Sequence, residues 1–475
     1  MNHAVTLRPQ PPTFNRTWVL ICSSLGGFLV TFMTSVINVA LPLIDADFHV
    51  SAVTLSWISL SYILVSGATL LPAGRIADLY GRVRIFVLSM LIFTVISFAC
   101  AFAPSATVLL VLRAVHGVSL AMGSATSTAL VILAYPVESR GRALGLSVAG
   151  VYLGLTLGPV IGGFIVHNLG WRSLFLVVGA LGLVSYVLSL WKLWGVEWRE
   201  EKTARFDVLG SFVYAVGLTA VLLGFSFLPD ISGLILLVGG AIGLAVFLWW
   251  ETRAADPLLN VGLLRRNRVF TFSNLATFVN YSSTSAMLFL MSLYLQYNRG
   301  LNAQTAGLVL VTGTAIQVIS APLAGRLADR LEARYVASGG MVVSVLGLLG
   351  LSFLGSATPY WYIIAMLCVM GVGIALFATP NTHVVMGSVE VRWVGVASAT
   401  LATMRQAGMN MSMGVATLVI ALLVGRQEIG PANQPQLLTS IRIVFLVCTA
   451  LCVLGVGASL VGGTRRQGDA TGAAP

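Results

Sequence analysis

The sequence predicts an all-α membrane protein, with two six-helix bundles and two further transmembrane helices inserted between them, fourteen spans in all. Three observations carry this reading. First, the 475 residues are 57% hydrophobic and only 9% charged, with a mean hydropathy of +0.93, whereas a soluble domain carries roughly a quarter charged residues. Second, apolar runs of about 20 residues recur from end to end, the length that crosses roughly 30 Å of hydrocarbon as a helix. Third, a burst of charge and glycine occurs twice, as Gly74-Arg75-Ile76-Ala77-Asp78-Leu79-Tyr80-Gly81-Arg82 and as Gly325-Arg326-Leu327-Ala328-Asp329-Arg330-Leu331-Glu332, with the two aspartates 251 residues apart. An internal repeat in a membrane chain points to two related halves around a midplane site.

In order, the spans fall near 18–43, 52–72, 84–104, 106–128, 142–166, 172–194, 208–228, 232–251, 270–294, 304–325, 335–355, 360–381, 393–424 and 440–462. The first is too long for a signal-peptide core and stays as a span. Runs this continuous exclude the weak alternation of barrel strands. An even count places both termini on one side, and the basic residues choose the side. Of the 27 Lys and Arg, 21 fall on the segments that share a side with the termini, and only Arg172, Arg299, Arg426 and Arg442 on the other. Both termini are therefore expected to be cytoplasmic, in a multi-pass protein of the cell (inner or plasma) membrane. The net charge of +11 reads as topology, not as a nucleic-acid surface.

Asp78 follows the second span and Asp329 the tenth, eight spans later, whereas a plain six-span repeat would separate them by six. The seventh and eighth spans are thus the insertion. The expected organisation is a cytoplasmic tail 1–17, a first bundle 18–200, the inserted pair 206–252, a second bundle 268–463 and a tail 464–475. The stretch 425–440, polar with two prolines, reads as a flexible connector. Cys22, Cys100, Cys368, Cys448 and Cys452 lie in apolar runs without ligand-like spacing and read as small core residues. No metal, no cofactor and no enzymatic cluster is expected. Without a Walker A motif or a soluble domain, ATP hydrolysis within this chain is excluded.

These residues resemble the major facilitator superfamily, and the fourteen-span layout resembles its drug:proton antiporter branch, the EmrB/QacA-like exporters. The likeness covers essentially the whole chain. Residues 74–84 match the superfamily's signature loop between spans two and three. Leu112-Arg113-Ala114-Val115-His116-Gly117 matches the arginine motif of span four. Residues 150–163 (Gly150-Val151-Tyr152-Leu153-Gly154 through Gly158-Pro159-Val160-Ile161-Gly162-Gly163) match the span-five motif associated with antiporters, and Asn38-Val39-Ala40-Leu41-Pro42 closes the span-one motif. That motif commonly opens with an intramembrane aspartate. Here the position is Met33, and no acidic residue lies clearly inside any span.

Several constellations follow. Asp78 and Arg82, four apart, could pair on one helical face; Gly74, Asp78, Gly81, Arg82 and Asp329 are read as a gating latch that holds one conformation, against the simpler reading of the arginines as topology signals. The second copy is degenerate, with Glu332 in the place of Gly81. Arg113 sits mid-span, where an arginine costs about 2.5–3.5 kcal/mol on insertion scales; it is expected to face a wet crevice between the bundles and to bond backbone carbonyls, a polar neighbour or an anionic substrate. His116, three residues on, titrates near neutral pH and joins Arg113 as a candidate for proton coupling or substrate binding. Gly150, Gly154, Gly158 and Gly162 recur every four residues, which lets a helix approach closely; with Pro159 and Gly163 they are read as a seal and pivot at the bundle interface. Cavity-lining candidates are Met33, Asn38, Asn274, Asn280, Tyr281, Gln317, Arg405, Gln406 and Asn410.

The expected activity is secondary active transport: proton-coupled export of small amphipathic compounds such as drugs, antibiotics or secondary metabolites, by alternating access. The partners are then the small-molecule substrate, protons and the lipid bilayer, with no nucleic acid, and the protein acts as a monomer. The alternatives are a facilitator or importer of a metabolite, and a non-transporting membrane sensor, for which the short loops offer no output surface.

Overall fold

A computed structural model describes residues 15–196, 207–254, 258, 261–389, 394–425 and 427–461. The expected tail 464–475 and the linker around 197–206 lie outside the described residues. The first bundle comprises α1 (Arg16–Phe48), α2 (Ala52–Tyr80), α3 (Arg82–Ala101), α4 (Ala106–Ala134), α5 (Val137–Leu169) and α6 (Trp171–Leu193). The insertion is α7 (Val208–Phe227) and α8 (Ile231–Glu251). A short α9 (Val261–Arg266) leads into α10 (Arg268–Thr284), α11 (Met287–Leu293) with a π-helical turn Tyr294–Asn298, α12 (Ala303–Arg330), α13 (Ala333–Ser352), α14 (Tyr360–Gly387), α15 (Val394–Leu423) and α16 (Gln434–Val461). Thirteen described helices are long and apolar enough to cross a membrane. With the broken segment α10–α11 as the remaining crossing, the architecture agrees with the fourteen-span expectation.

The starts and stops follow local chemistry. Ser51, Ser105, Asp207 and Asn302 cap the helices they precede by accepting a backbone N–H, a role for which short polar side chains are favoured. Gly81 joins α2 to α3 at φ 113° and Gly170 joins α5 to α6 at φ 80°, conformations that glycine adopts without a Cβ clash.

Two expectations need correction. The ninth span is not one continuous helix, because it breaks at Ser285 and Ala286 between α10 and α11. The cause is legible in Tyr281-Ser282-Ser283-Thr284-Ser285. Ser282, Ser283 and Thr284 each donate to the carbonyl four residues back, a back-bonding that loosens helices. The Ala286 N–H donates instead to Ser412 Oγ of α15, at 3.0 Å. Non-helical backbone within a membrane is tolerated only where protein buries it or it borders a water-filled cavity. The stretch after α15, expected to be a flexible connector, is tied down: Ala52 N–H donates to the Gln427 carbonyl at 2.9 Å, and His49 lies 3.7 Å from Glu428.

Within the first bundle α1 packs on α5, α2 on α4 and α3 on α6; in the second, α13 packs on α14 and α16, and α10 on α15 and α16. Besides a smaller contact of α1 with α11, two seams join the bundles. One pairs α2 with α15, the other α5 with α12. The inserted helices dock through α7, which lies against both α2 and α15. Tyr214 Oη donates to the Gly67 carbonyl at 3.1 Å and Trp57 Nε1 to Ser226 Oγ at 2.9 Å. The insertion therefore covers one seam and leaves the other bare. α7 and α8 meet backbone to backbone, since a Cβ on Gly240 would stand 2.6 Å from Val221 N and one on Gly224 2.7 Å from Leu237 N.

Candidate functional site

The charged junction between α2 and α3 forms around Gly81. Arg82 Nε donates to Asp78 Oδ1 at 2.8 Å, with a second nitrogen at 2.7 Å. The two residues do not share one helical face, as the four-residue spacing suggested. They stand on consecutive helices, and the positive φ of Gly81 turns Arg82 back onto the end of α2. Gly74 has room: a Cβ there would meet nothing nearer than Ala125 at 3.9 Å. In the second copy Glu332 precedes α13 without a side-chain capping bond and pairs with Arg334 at 2.6 Å. Asp329 falls on α12, but its side chain lies outside the described residues.

Arg113 is fully buried inside the first bundle (0% exposed), which corrects the expectation that it faces an open crevice. Its Nε donates to the Ile58 carbonyl at 3.2 Å, and its guanidinium lies over the Tyr62 ring, 4.2 Å from the centroid. Both partners belong to α2. The approach is set by Gly117, where a Cβ would stand 2.5 Å from the Tyr62 carbonyl. A desolvated cation over an aromatic face gains about 2 kcal/mol, comparable to the insertion cost. Nη1 and Nη2 have no hydrogen-bond partner among the described residues. His116, also fully buried, lies between the rings of Tyr62 and Phe93, 5.3 and 4.6 Å between centroids, with Nε2 3.4 Å from Ser97 Oγ and Nδ1 without a hydrogen-bond partner among the described residues. The pair is a closed polar pocket of one bundle.

The glycine stripe of α5 also corrects an expectation. Gly150, Gly154, Gly158 and Gly162 do not face the other bundle; they face α1. Added Cβ atoms would stand 2.8 Å from the Ser24 carbonyl, 2.4 Å from the Phe28 carbonyl, 1.9 Å from Ser35 Oγ and 1.8 Å from Val36 Cγ2. Thr31 Oγ1 donates to the Val151 carbonyl at 2.9 Å and Ser35 Oγ to the Gly154 carbonyl at 3.3 Å. Of the motif, Gly163 and Pro159 reach across, with Val160 and Ile161 beside them against Gln304 and Leu308 of α12. A Cβ on Gly163 would stand 2.5 Å from the Ala303 carbonyl, and one on Gly307 2.0 Å from the Pro159 carbonyl.

The cavity-lining candidates divide. Met33, Asn38, Asn274, Asn280 and Asn410 are buried and line no open space in this conformation. Asn38 is helix glue: Ser59 Oγ donates to its Oδ1 at 3.1 Å, and Ser292 Oγ of α11 to its carbonyl at 2.7 Å. Nearby, Gln296 Nε2 donates to the Val39 carbonyl at 3.3 Å and Tyr297 Oη to Asp45 Oδ2 at 2.5 Å. These bonds tie α1 to the broken ninth span. Gln406 and Asn410 lie on the α2–α15 seam; Gln406 Nε2 donates to the Ile63 carbonyl at 3.0 Å, and Asn410 sits beside Gly67. Tyr281, Gln317 and Gln406 are half-buried, and Arg405 is exposed. Sequence reasoning missed Tyr152, which shares the α5 face that meets α12, and the clamp Asp45–Tyr297. The only signal for either was position on a helix face.

Two pseudo-equivalent helical bundles, joined by two seams and embedded through thirteen apolar helices and one broken crossing, define a multi-pass membrane protein of the two-halves transporter class. The profile of the Major Facilitator Superfamily matches residues 23–413 and 273–474, and the chain belongs to that superfamily. It is 33% identical over 417 residues to the multidrug resistance protein Stp of Mycobacterium tuberculosis (strain CDC 1551 / Oshkosh), covering 86% of this chain and 76% of that one. It is 30% identical to the riboflavin transporter RibZ of Clostridioides difficile (strain 630), covering 84% and 86%. It is 28% identical to a probable actinorhodin transporter of Streptomyces coelicolor, covering 88% and 75%. A solved bacterial homolog of the human lysosomal transporter Spinster, in an inward-facing and unoccupied conformation, shares the fold with a TM-score of 0.67 at 16% identity, over 94% of this chain and 97% of that one.

Proposed function

We propose that this transporter is a proton-coupled exporter of small amphipathic compounds, of the fourteen-span drug:proton antiporter branch. It works as a monomer in the cell membrane, with both termini cytoplasmic, by alternating access between the bundles. The names of its relatives support export of antibiotics and other drugs. The observation that carries the reading is the character of the seams. At each, side chains or glycines of one bundle rest on backbone carbonyls of the other, as Gln406 does on Ile63 and Gly307 on Pro159. Contacts of this kind are directional and few, so one bundle can rock against the other and remake them. In this reading the Asp78–Arg82 junction, with Gly74 and Gly81, is a latch that steadies one end of α2 during the movement, and Asp329 is its counterpart in the second copy of the repeat. The buried Arg113–His116 pair carries the coupling, because an imidazole exchanges protons near neutral pH and this one meets water only when the bundle opens.

The relative named for riboflavin transport favours a second reading, a carrier for a vitamin or other metabolite. Proteoliposomes with an imposed pH gradient separate the two. Uphill movement of substrate that stops when a protonophore collapses the gradient is expected, and movement only down the substrate's own gradient would leave a facilitator. Arg113→Ala should lower gradient-driven transport at least tenfold, and His116→Ala should abolish its response to pH while downhill exchange persists. Unchanged pH response in His116→Ala would remove this pocket from the coupling path.

A further inference from the structure

We propose that Arg405, flanked by Tyr152 and Tyr281 in the gap between the bundles, is the substrate-recognition cation and that it selects anionic, aromatic amphiphiles. This inference rests on the transporter reading and assigns its substrate class.

The placement follows from helix register. Arg405 lies eleven residues into α15, a 30-residue helix. At about 1.5 Å per residue that is roughly 17 Å along the axis, well away from the helix start, where a surface arginine would reach water unaided. Around α15, Gln406 and Asn410 face α2, since Gln406 bonds the Ile63 carbonyl and Asn410 abuts Gly67. Gly408 and Ser412 face α10–α11, since a Cβ on Gly408 would stand 2.5 Å from the Phe278 carbonyl and Ser412 Oγ accepts from Ala286 N–H. With about 100° per residue, Arg405 falls between those two faces, in the sector enclosed by α2 of one bundle and α10 of the other. Gly414, which meets Leu222 and Phe225 of α7, lies on the far side. The guanidinium therefore points away from the inserted helices and into the gap.

The same register places Tyr152 there. It shares the α5 face of Pro159 and Gly163, which meet α12, and is turned away from the glycines that meet α1. Tyr281 lies on α10 one turn before the break at Ser285 and Ala286. A Cβ on Gly408 of α15 would stand 2.9 Å from Tyr281 Cβ, and the α5 face that carries Tyr152 meets the second bundle through Gly163 and Pro159, so residues from both bundles converge on one region. Thr156, one turn along α5 on the Tyr152 side, keeps a buried hydroxyl without a hydrogen-bond partner among the described residues.

Among the described residues no acidic side chain pairs with Arg405. Every described acidic residue lies at or near a helix end, where Asp47 pairs with Arg172, Asp78 with Arg82 and Asp207 with Trp250 and the Gly210 N–H. An exposed guanidinium in a low-dielectric gap presents donors that a planar carboxylate, sulfonate or phenolate satisfies in bidentate fashion. Two tyrosines beside it offer ring faces and hydroxyls to an aromatic body. A cationic drug would meet like charge here.

Fluorescein and rhodamine 123 share a xanthene ring system and differ in charge, which suits them as probes. Binding is read by dye anisotropy with the full chain in phosphatidylcholine nanodiscs, and transport by dye accumulation in proteoliposomes. Fluorescein is expected to bind at least tenfold more tightly than rhodamine 123, and Arg405→Gln to weaken fluorescein binding at least tenfold while Arg405→Lys retains most of it. The double variant Tyr152→Phe/Tyr281→Phe keeps ring volume and should weaken it about threefold, so it carries the test should Arg405→Gln not fold. Preference for rhodamine, no fluorescein binding, or equal binding by Arg405→Gln would overturn the site. Displacement of fluorescein by phosphatidylglycerol in the nanodisc would assign the cation to a lipid headgroup and also overturn it. Binding with the expected variant pattern but no accumulation would leave the site standing and remove the transporter reading instead.

Discussion

The two seams occupy related positions in the two-halves architecture, yet they are built differently. Where α5 meets α12, backbone rests on backbone, with Gly163 against the Ala303 carbonyl and Gly307 against the Pro159 carbonyl. Where α2 meets α15, polar side chains mediate: Gln406 bonds the Ile63 carbonyl and Asn410 fills the space beside Gly67. This second seam is also covered by α7, through Tyr214 and Trp57. The glycine seam can tolerate no added atom, because a carbonyl cannot step aside. The polar seam has side chains that can swing, and it carries a lid. The difference suggests a division of labour, in which the bare seam sets the closest approach of the bundles and the covered seam bears the adjustable contacts next to the proposed cation site.

The comparison can be broken most directly at Gly307. Gly307→Leu places a branched side chain where even a Cβ would stand 2.0 Å from the Pro159 carbonyl; overpacking of this kind costs about 1–3 kcal/mol or more. We expect at least a tenfold loss of transport, measured per inserted protein in proteoliposomes, and wild-type rates would show that the seam is not a fixed contact. At the other seam a Cβ added by Gly67→Ala meets side chains alone, the Asn410 amide at 2.2 Å, Gln406 Cγ at 3.2 Å and Leu218 Cδ2 at 3.4 Å. A two- to fivefold loss is expected there, restored by Asn410→Ala in the double variant. A lack of rescue would mean that the polar seam is as rigid as the glycine one. The smallest effect belongs to the lid. Tyr214→Phe removes one hydrogen bond to the Gly67 carbonyl, a change of about 1 kcal/mol, and should lower the thermal midpoint of the detergent-solubilised protein by a few degrees or less while transport continues.

Much of this was legible in the chain. Apolar length and the repeated Gly-Arg-x-Ala-Asp determined the number of crossings, the two halves and the position of the insertion, because bilayer thickness and basic-loop counting act on local sequence alone. Arg113 could be marked as costly and therefore meaningful from its apolar surroundings. What it faces could not be read, since the Ile58 carbonyl and the Tyr62 ring come from another helix. The four-residue glycine period announced a close helix contact without naming the partner, and the stripe turned out to serve α1 inside one bundle. The break in the ninth span did have a local signal, the run of serine and threonine from Ser282 to Ser285, but hydropathy averaged over a window hides it.

The sequence by itself determined which segments must leave water and where the chain must turn, since both depend on residues close along the chain. The tertiary structure alone decided which polar groups share a space. Arg405, Tyr152 and Tyr281 lie on three helices in two bundles, and Gln406 and Gly67 meet across more than 300 positions of chain. Helix rotation settles such meetings, and rotation is set by the backbone contacts that glycines permit, a property of pairs of helices that no single segment contains.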